Sequence, residues 1–236
     1  MSREHTLNPF LEGAQSPKPW LLVPAKPFAE GKTRLADTLA EHQRVALNRW
    51  LLHHVLQIAI QSQCFTQILV VSRGQDVLQL AREHNVQILV EAHHNHAIQT
   101  QHHQAANHIA DNDSLNIALE QARSHAIEAG ATAILVLPAD LPRLNQTDLV
   151  QLCTAADELN SERGMVIAPS HDGGTNALWL QPPQAIPFAY GLNSFAQHCR
   201  LAEQANIPYT IVDSPTLAFD LDWPDDLEGL EMGLFL

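Results

Sequence analysis

Positive charge is scarce in this sequence. Lys and Arg number 13 against 26 Asp and Glu, for a formal net charge of −13 at pH 7 over 236 residues. A nucleic-acid binder ordinarily carries a basic face, so no nucleic-acid partner is expected. Cysteine is nearly absent: Cys64, Cys153 and Cys199 lie far apart and form no CxxC pair. That pattern excludes a disulfide framework and a cysteine zinc site, and it fits reduced thiols in a cytoplasm. No apolar run reaches membrane-spanning length, so no membrane association is expected. The segment Met1–Pro19 lacks the basic-then-apolar order of a signal peptide. Aromatic residues make up only 6% of the chain.

Hydrophobic residues amount to 45%, enough for one sizeable core. Residues 1–18 read as a flexible arm, and 19–236 as one domain. Short apolar runs predict strands at Trp20–Val23, Gln67–Val71, Gln87–Val90, Ala133–Leu137 and Met165–Ala168. Extended segments are expected at Ala177–Leu180, Thr210–Val212 and Leu217–Leu221. Helical spacing of Leu47, Leu51, Val55 and Ile58 predicts a helix over Glu41–Gln61. Further helices are expected at Asp76–His84, Asn145–Asn160 and Asn193–Ala205, and from Pro224 onward. One more covers Asp113–Ala129, capped by Asp113 or Ser114 and stopped by Gly130. Strands alternate with helices, so the fold class is α/β, a single-domain doubly wound and mostly parallel sheet. Ligands of such sheets sit beyond the carboxyl ends of the strands.

Four segments carry chemistry. Pro24–Leu35, PAKPFAEGKTRL, gathers Lys26, Lys32 and Arg34 into nine positions after the first strand. An acidic protein would hold a polyphosphate at such a cluster. The segment is neither a P-loop nor a GxGxxG turn, and a solvated basic loop fits the same residues. Ile134–Pro142 places Asp140 at the end of an apolar strand, where a metal or ribose ligand, or a turn aspartate, is expected. In Leu217–Leu227, LAFDLDWPDDL, extended backbone puts Asp220 and Asp222 on one face. Together with Asp140 they form a hard oxygen set suited to Mg²⁺; a solvated acidic turn is the alternative. Gly173-Gly174 with Thr175, and Gly191 to Ser194 at a helix start, offer backbone amides and hydroxyls for a phosphate or carboxylate. Both are expected to follow strand ends, although ordinary turn and capping chemistry explains each separately. His93, His94, His96, His102, His103 and His108 crowd a Gln- and Asn-rich stretch, read as a polar mobile insertion rather than a zinc site.

PAKPFAEGKTRL, LPADLP, DGGTNALWLQPP, YGLNSFAQH and AFDLDWPDDL, in this order, resemble the guanylyltransferases of coenzyme F-420 biosynthesis, the CofC/FbiD family. The resemblance spans Trp20 to Leu227 and implies a nucleotidyltransferase fold, MobA-like and GT-A-like. It implies that Asp140, Asp220 and Asp222 hold Mg²⁺, and that Thr175, Gly191 and Ser194 bind a phosphorylated three-carbon acid. Pro24, Lys26 and Lys32 would bind nucleotide, with Lys26, Lys32 and Arg34 catalytic at the GTP phosphates. Asn116 matches the family's Gly-Leu-Asn segment and would contact the nucleoside, although Ser114 stands where the family has Gly. The product would pass to a downstream deazaflavin transferase, and a homodimer is compatible with the resemblance. Competing readings are a molybdenum-cofactor-type guanylyltransferase, a non-catalytic nucleotide sensor and a His-rich metal-binding protein. Among acids, 2-phospholactate, phosphoenolpyruvate and 3-phosphoglycerate stay open.

Overall fold

The computed structural model describes residues 18–92, 104–159 and 161–228. Among the described residues, seven strands form one sheet: β1 (Trp20–Pro24), β2 (Gln67–Ser72), β3 (Gln87–Val90), β4 (Ile134–Val136), β5 (Gly164–Pro169), β6 (Thr175–Gln181) and β7 (Tyr209–Ile211). Their order is β3-β2-β1-β4-β6-β5-β7. All pairings are parallel except those of β6, which runs antiparallel to both β4 and β5. Five helices connect them: α1 (Glu41–Ser62), α2 (Gln75–Glu83), α3 (Gln104–Glu128), α4 (Gln146–Glu158) and α5 (Ser194–Gln204).

Side-chain alternation along the strands divides the core in two. Leu21 and Val23 face α1, α2 and α4, packing with Leu52, Val55, Leu56, Val77 and Leu152. Trp20 and Leu22 face the other way, toward α3 and α5, with Leu119, Ala122, Ala126 and Ala202. A sheet buried on both faces needs apolar residues at every position, which is why β1 and β4 read as unbroken hydrophobic runs. The doubly wound reading therefore holds.

Chain order reverses between β1 and β4, which are neighbours although β2 and β3 intervene in sequence. Their carboxyl ends flank the crevice where such sheets bind ligands. The antiparallel β6 starts at that same edge, so Thr175 pairs with Pro169 at the end of β5.

The structure corrects three expectations. The helix does not start at Asp113 or Ser114: α3 spans Gln104–Glu128, and both positions lie inside it. The polar run before them has middling rather than prohibitive helix propensity, and the buried stripe Ala118, Leu119, Ala122 and Ala126 anchors the helix from its later half. Gly130 does stop it, with φ of 91° and its N–H on the Ile127 carbonyl at 2.9 Å. Second, Leu217–Leu221, expected as an extended segment, opens in a turn, runs on as irregular chain and joins no strand of the sheet. Its turn is pinned to α4, because the Ser214 and Thr216 hydroxyls donate to the buried Asp148 carboxylate at 2.6 and 2.7 Å. Third, Gly191–Ser194 does not follow a strand end. After β6 reaches the opposite edge, the chain climbs back along α3. The Arg123 guanidinium donates to the Ile186 carbonyl at 3.0 Å, and Asn116 holds Tyr190 seven residues earlier on α3, about 10 Å further up the helix.

The arm expected over 1–18 lies outside the described residues, apart from Lys18. So does 93–103 of the His-rich stretch; over 104–108 the backbone belongs to α3. Cys64, Cys153 and Cys199 are unpaired. No described helix is long and apolar enough to cross a membrane.

Candidate active site

The loop after β1 is held from below. Asn48 on α1 donates to the Phe28 carbonyl at 2.7 Å, and Asp76 on α2 accepts from the Phe28 N–H at 3.1 Å. Gly31 lies against Asn48 so tightly that a Cβ would come within 2.6 Å of the amide nitrogen. The next residue, Lys32, is left-handed at φ 54°, an uncommon conformation for a non-glycine residue and one that clusters at functional sites. That turn aims Lys32 across the crevice.

Its ammonium sits between two carboxylates, 2.6 Å from Asp140 Oδ2 and 3.0 Å from Asp222 Oδ1, with its side chain only 7% exposed. Arg34 Nη1 reaches the other oxygen of Asp222 at 2.7 Å while its guanidinium lies 4.8 Å over the Trp223 ring. The Asp220–Asp222 segment is docked onto the β4 loop by the Leu221 N–H, which donates to the Asp140 carbonyl at 3.1 Å. Asp220 is fixed by Asn176 Nδ2 and His171 Nδ1, each at 3.3 Å from its Oδ1.

Electrostatics follow from this geometry. Burial raises the Asp220 carboxyl, and the charges of Asp140 and Asp222 push it further, to about 6. Burial alone would raise Asp222 too, but Lys32 and Arg34 outweigh it and hold Asp222 below its ordinary value. Burial opposes the charge on Lys32, yet Asp140 and Asp222 keep its pKa above the usual lysine value. The site thus carries three carboxylates against the Lys32 ammonium and the Arg34 guanidinium.

A second cluster lies beside it at the heads of β6 and α5. The Ser194 hydroxyl donates to Thr175 Oγ1 at 3.1 Å, and His198 Nδ1 is 3.1 Å from the same oxygen. Asn116 is bound through both ends of its amide to the backbone of Tyr190, at 3.0 Å each, and so anchors the Gly191–Ser194 turn.

The structure therefore brings together Lys32, Arg34, Asp140, Asp220 and Asp222, and separately Thr175, Ser194 and the Gly191 turn. Pro24 ends β1 at the crevice, and Lys26 is exposed on the loop that follows. Asn116 is turned to the Tyr190 backbone rather than to open space. Sequence reasoning passed over His171, Asn176 and His198. Asn176 lies in the quoted Gly-Gly-Thr-Asn run, one residue after Thr175, so opposite sides of β6 serve the two clusters. His198 stands four residues after Ser194, the spacing that puts both on one helix face, and that signal was legible. Among the described residues, no three His, Cys, Asp or Glu side chains close into a ready metal cage.

A switch-point crevice lined by carboxylates and a basic loop is suited to a phosphorylated ligand. A solved cytidylyltransferase from Leptospira borgpetersenii shares the fold at a TM-score of 0.56, with 11% identity, covering 89% of this chain and 84% of that one. The family model described as guanylyl transferase CofC like matches residues 20–108 and 95–233. The chain belongs to this family. A phosphoenolpyruvate guanylyltransferase of Rubrobacter xylanophilus is 35% identical, covering 89% of this chain and 92% of its own. A 3-phospho-D-glycerate guanylyltransferase of Colwellia psychrerythraea is 28% identical over 90% of both chains. A 2-phospho-L-lactate guanylyltransferase of Methanocaldococcus vulcanius is 29% identical, over 88% and 81%. The chain is thus an enzyme that transfers a nucleotide, which removes the non-catalytic readings.

Proposed function

We propose that the protein transfers GMP from GTP to the phosphate of a three-carbon phospho-acid, releasing pyrophosphate, in the coenzyme F-420 pathway. Phosphoenolpyruvate is the acid we place first, because the relative at 35% identity bears that name; 3-phosphoglycerate and 2-phospholactate compete with it. The observation that carries the reading is the meeting of Asp140, Asp220 and Asp222 with Lys32 and Arg34 at the β1/β4 crevice.

The chemistry asks little of a base. A phosphate monoester has a second pKa near ~6 and is largely dianionic at neutral pH. Its oxygen attacks the α-phosphorus of GTP, forming the new P–O bond as the bond to the β-phosphate oxygen breaks. The barrier is repulsion between anions and charge on the departing pyrophosphate, so positioning and positive charge dominate.

The donor set suits Mg²⁺. The oxygens are hard, and three carboxylates meet there against the Lys32 ammonium and the Arg34 guanidinium. Asp140, Asp220 and Asp222 would hold the ion, which when bound would neutralise phosphate charge and fix the α-phosphate. Lys32 would then leave the carboxylates and turn to the triphosphate. Arg34 would keep Asp222 oriented from its stacked position on Trp223. Lys26, on the same loop, would meet the phosphates, and Pro24 would lie beneath the nucleotide. Thr175, Ser194 and the Gly191 turn would bind the acid.

The direct test is pyrophosphate release with GTP or ATP crossed with the three acids, with and without Mg²⁺. Release requiring Mg²⁺, GTP and one of the acids is expected. Release with ATP alone, or with no acid present, would overturn the assignment.

A further inference from the structure

His198 is fully buried, and its hydrogen bonds leave it one neutral form. The Ala189 N–H points at Nε2 from 3.0 Å. An amide N–H can only donate, so Nε2 must offer a lone pair. A neutral imidazole carries a single N–H, which is therefore on Nδ1. Nδ1 lies 3.1 Å from Thr175 Oγ1, so it donates there. The Ser194 hydroxyl donates to the same oxygen at 3.1 Å. Both lone pairs of Thr175 Oγ1 are then used, and its own proton has no role inside the trio. Reversing the Thr175–Ser194 bond would only move the surplus proton to Ser194. One hydroxyl proton is left over either way.

Thr175 and Ser194 keep 6% and 2% of their surface accessible, beside the Gly173-Gly174 turn at the heads of β6 and α5. We propose that His198 is a positioning residue that commits this hydroxyl pair to donate outward, so that the acid pocket accepts an oxyanion and rejects a group that must donate. The inference rests on the assignment of Thr175 and Ser194 to the acid. Its physical premise is independent of that assignment: the chain amide at Ala189 fixes the ring, the ring fixes the hydroxyls, and nothing in the trio can invert the direction. Burial supports it by keeping the imidazole neutral, with a pKa pushed down to about 4. The Tyr190 ring closes the edge of His198 at a centroid distance of 5.0 Å.

The test has two arms. Imidazole ¹⁵N spectra of the ligand-free protein at pH 7, with the His198 signals identified by their loss in His198→Asn, should show a protonated Nδ1 and a bare Nε2. An Nε2–H tautomer would overturn the proposal whether or not the enzyme accepts any phospho-acid. In steady-state assays, His198→Leu should raise KM for the acid by roughly tenfold or more, the scale of one hydrogen bond to a charged group, with KM for GTP nearly unchanged. His198→Asn keeps an N–H near the Nδ1 position and should recover most of that loss. Equal losses in the two variants, or a matching rise in both KM values, would overturn it. Absence of turnover with every acid in the wild type would defeat the proposed function and leave the spectra to decide the relay.

Discussion

The two halves of the site are built on opposite principles. The Lys32 ammonium is held by ion pairs, made to carboxylates that are still about a third exposed. In the proposed reaction those bonds would exchange, because a cation and a triphosphate would offer the same groups equivalent partners. In the His198–Thr175–Ser194 trio the groups are neutral and buried, and one hydroxyl proton is left over. Under the proposed function, the contrast separates a centre where charge would be redistributed during the reaction from a cradle that would hold the acid.

The contrast breaks first at Asp140. Asp140→Ala should lower kcat by about 10³-fold, the upper range for loss of one electrostatic element of an active site. Pyrophosphate release would measure it; a loss under about tenfold would move the reacting centre elsewhere.

Acid unfolding probes the other half. An unfolded His198 takes up a proton below about pH 6.5, whereas the folded one resists until about 4. Its contribution is present above pH 6.5 and fades as the pH falls toward 4, by up to about 3 kcal/mol. His54 and His84 are lowered in the same direction and His171 is raised. The quantity to measure is therefore the difference between wild type and His198→Asn in urea melts across that range. Parallel stability curves would contradict a buried neutral His198.

Asn116→Ala removes two hydrogen bonds to Tyr190 and should cost roughly 2 kcal/mol. It should also raise KM for the acid more than KM for GTP. The reverse kinetic pattern would assign Asn116 to the nucleoside instead. The smallest effect concerns competition. Lys32→Met frees Asp140 and Asp222 from their ammonium, so Mg²⁺ should bind the nucleotide-free variant about tenfold more tightly. Thermal shifts against Mg²⁺ concentration would read it, and weaker binding would separate the cation from these carboxylates.

The charged half was far more legible in the sequence than the neutral one. Lys32, Arg34, Asp140, Asp220 and Asp222 sit in conspicuous motifs after apolar strands, and a charge in an apolar setting attracts notice. What local spacing does not show is how Asp220 and Asp222 reach Asp140: the turn before them is tied to Asp148 on α4, and the Leu221 N–H donates to the Asp140 carbonyl. The neutral half depends on the climb of the 182–193 loop along α3, a tertiary route that no local spacing encodes. Asn116 was expected at the nucleoside, whereas it bonds the Tyr190 backbone, 74 residues away. The sheet itself was readable because burial on both faces forces unbroken apolar runs. Only the reversed direction of β6 escaped, since an apolar strand carries no mark of its orientation.

The most direct measurement follows the α-phosphorus. GTP labelled at that atom would be incubated with phosphoenolpyruvate, Mg²⁺ and either the wild type or Asp140→Ala. The account predicts that the wild type moves the label into a diphosphate ester joining GMP to the acid, with unlabelled pyrophosphate, and that the variant leaves it in GTP. Label appearing as free GMP, or an ester formed equally by the variant, would contradict nucleotidyl transfer at the three aspartates.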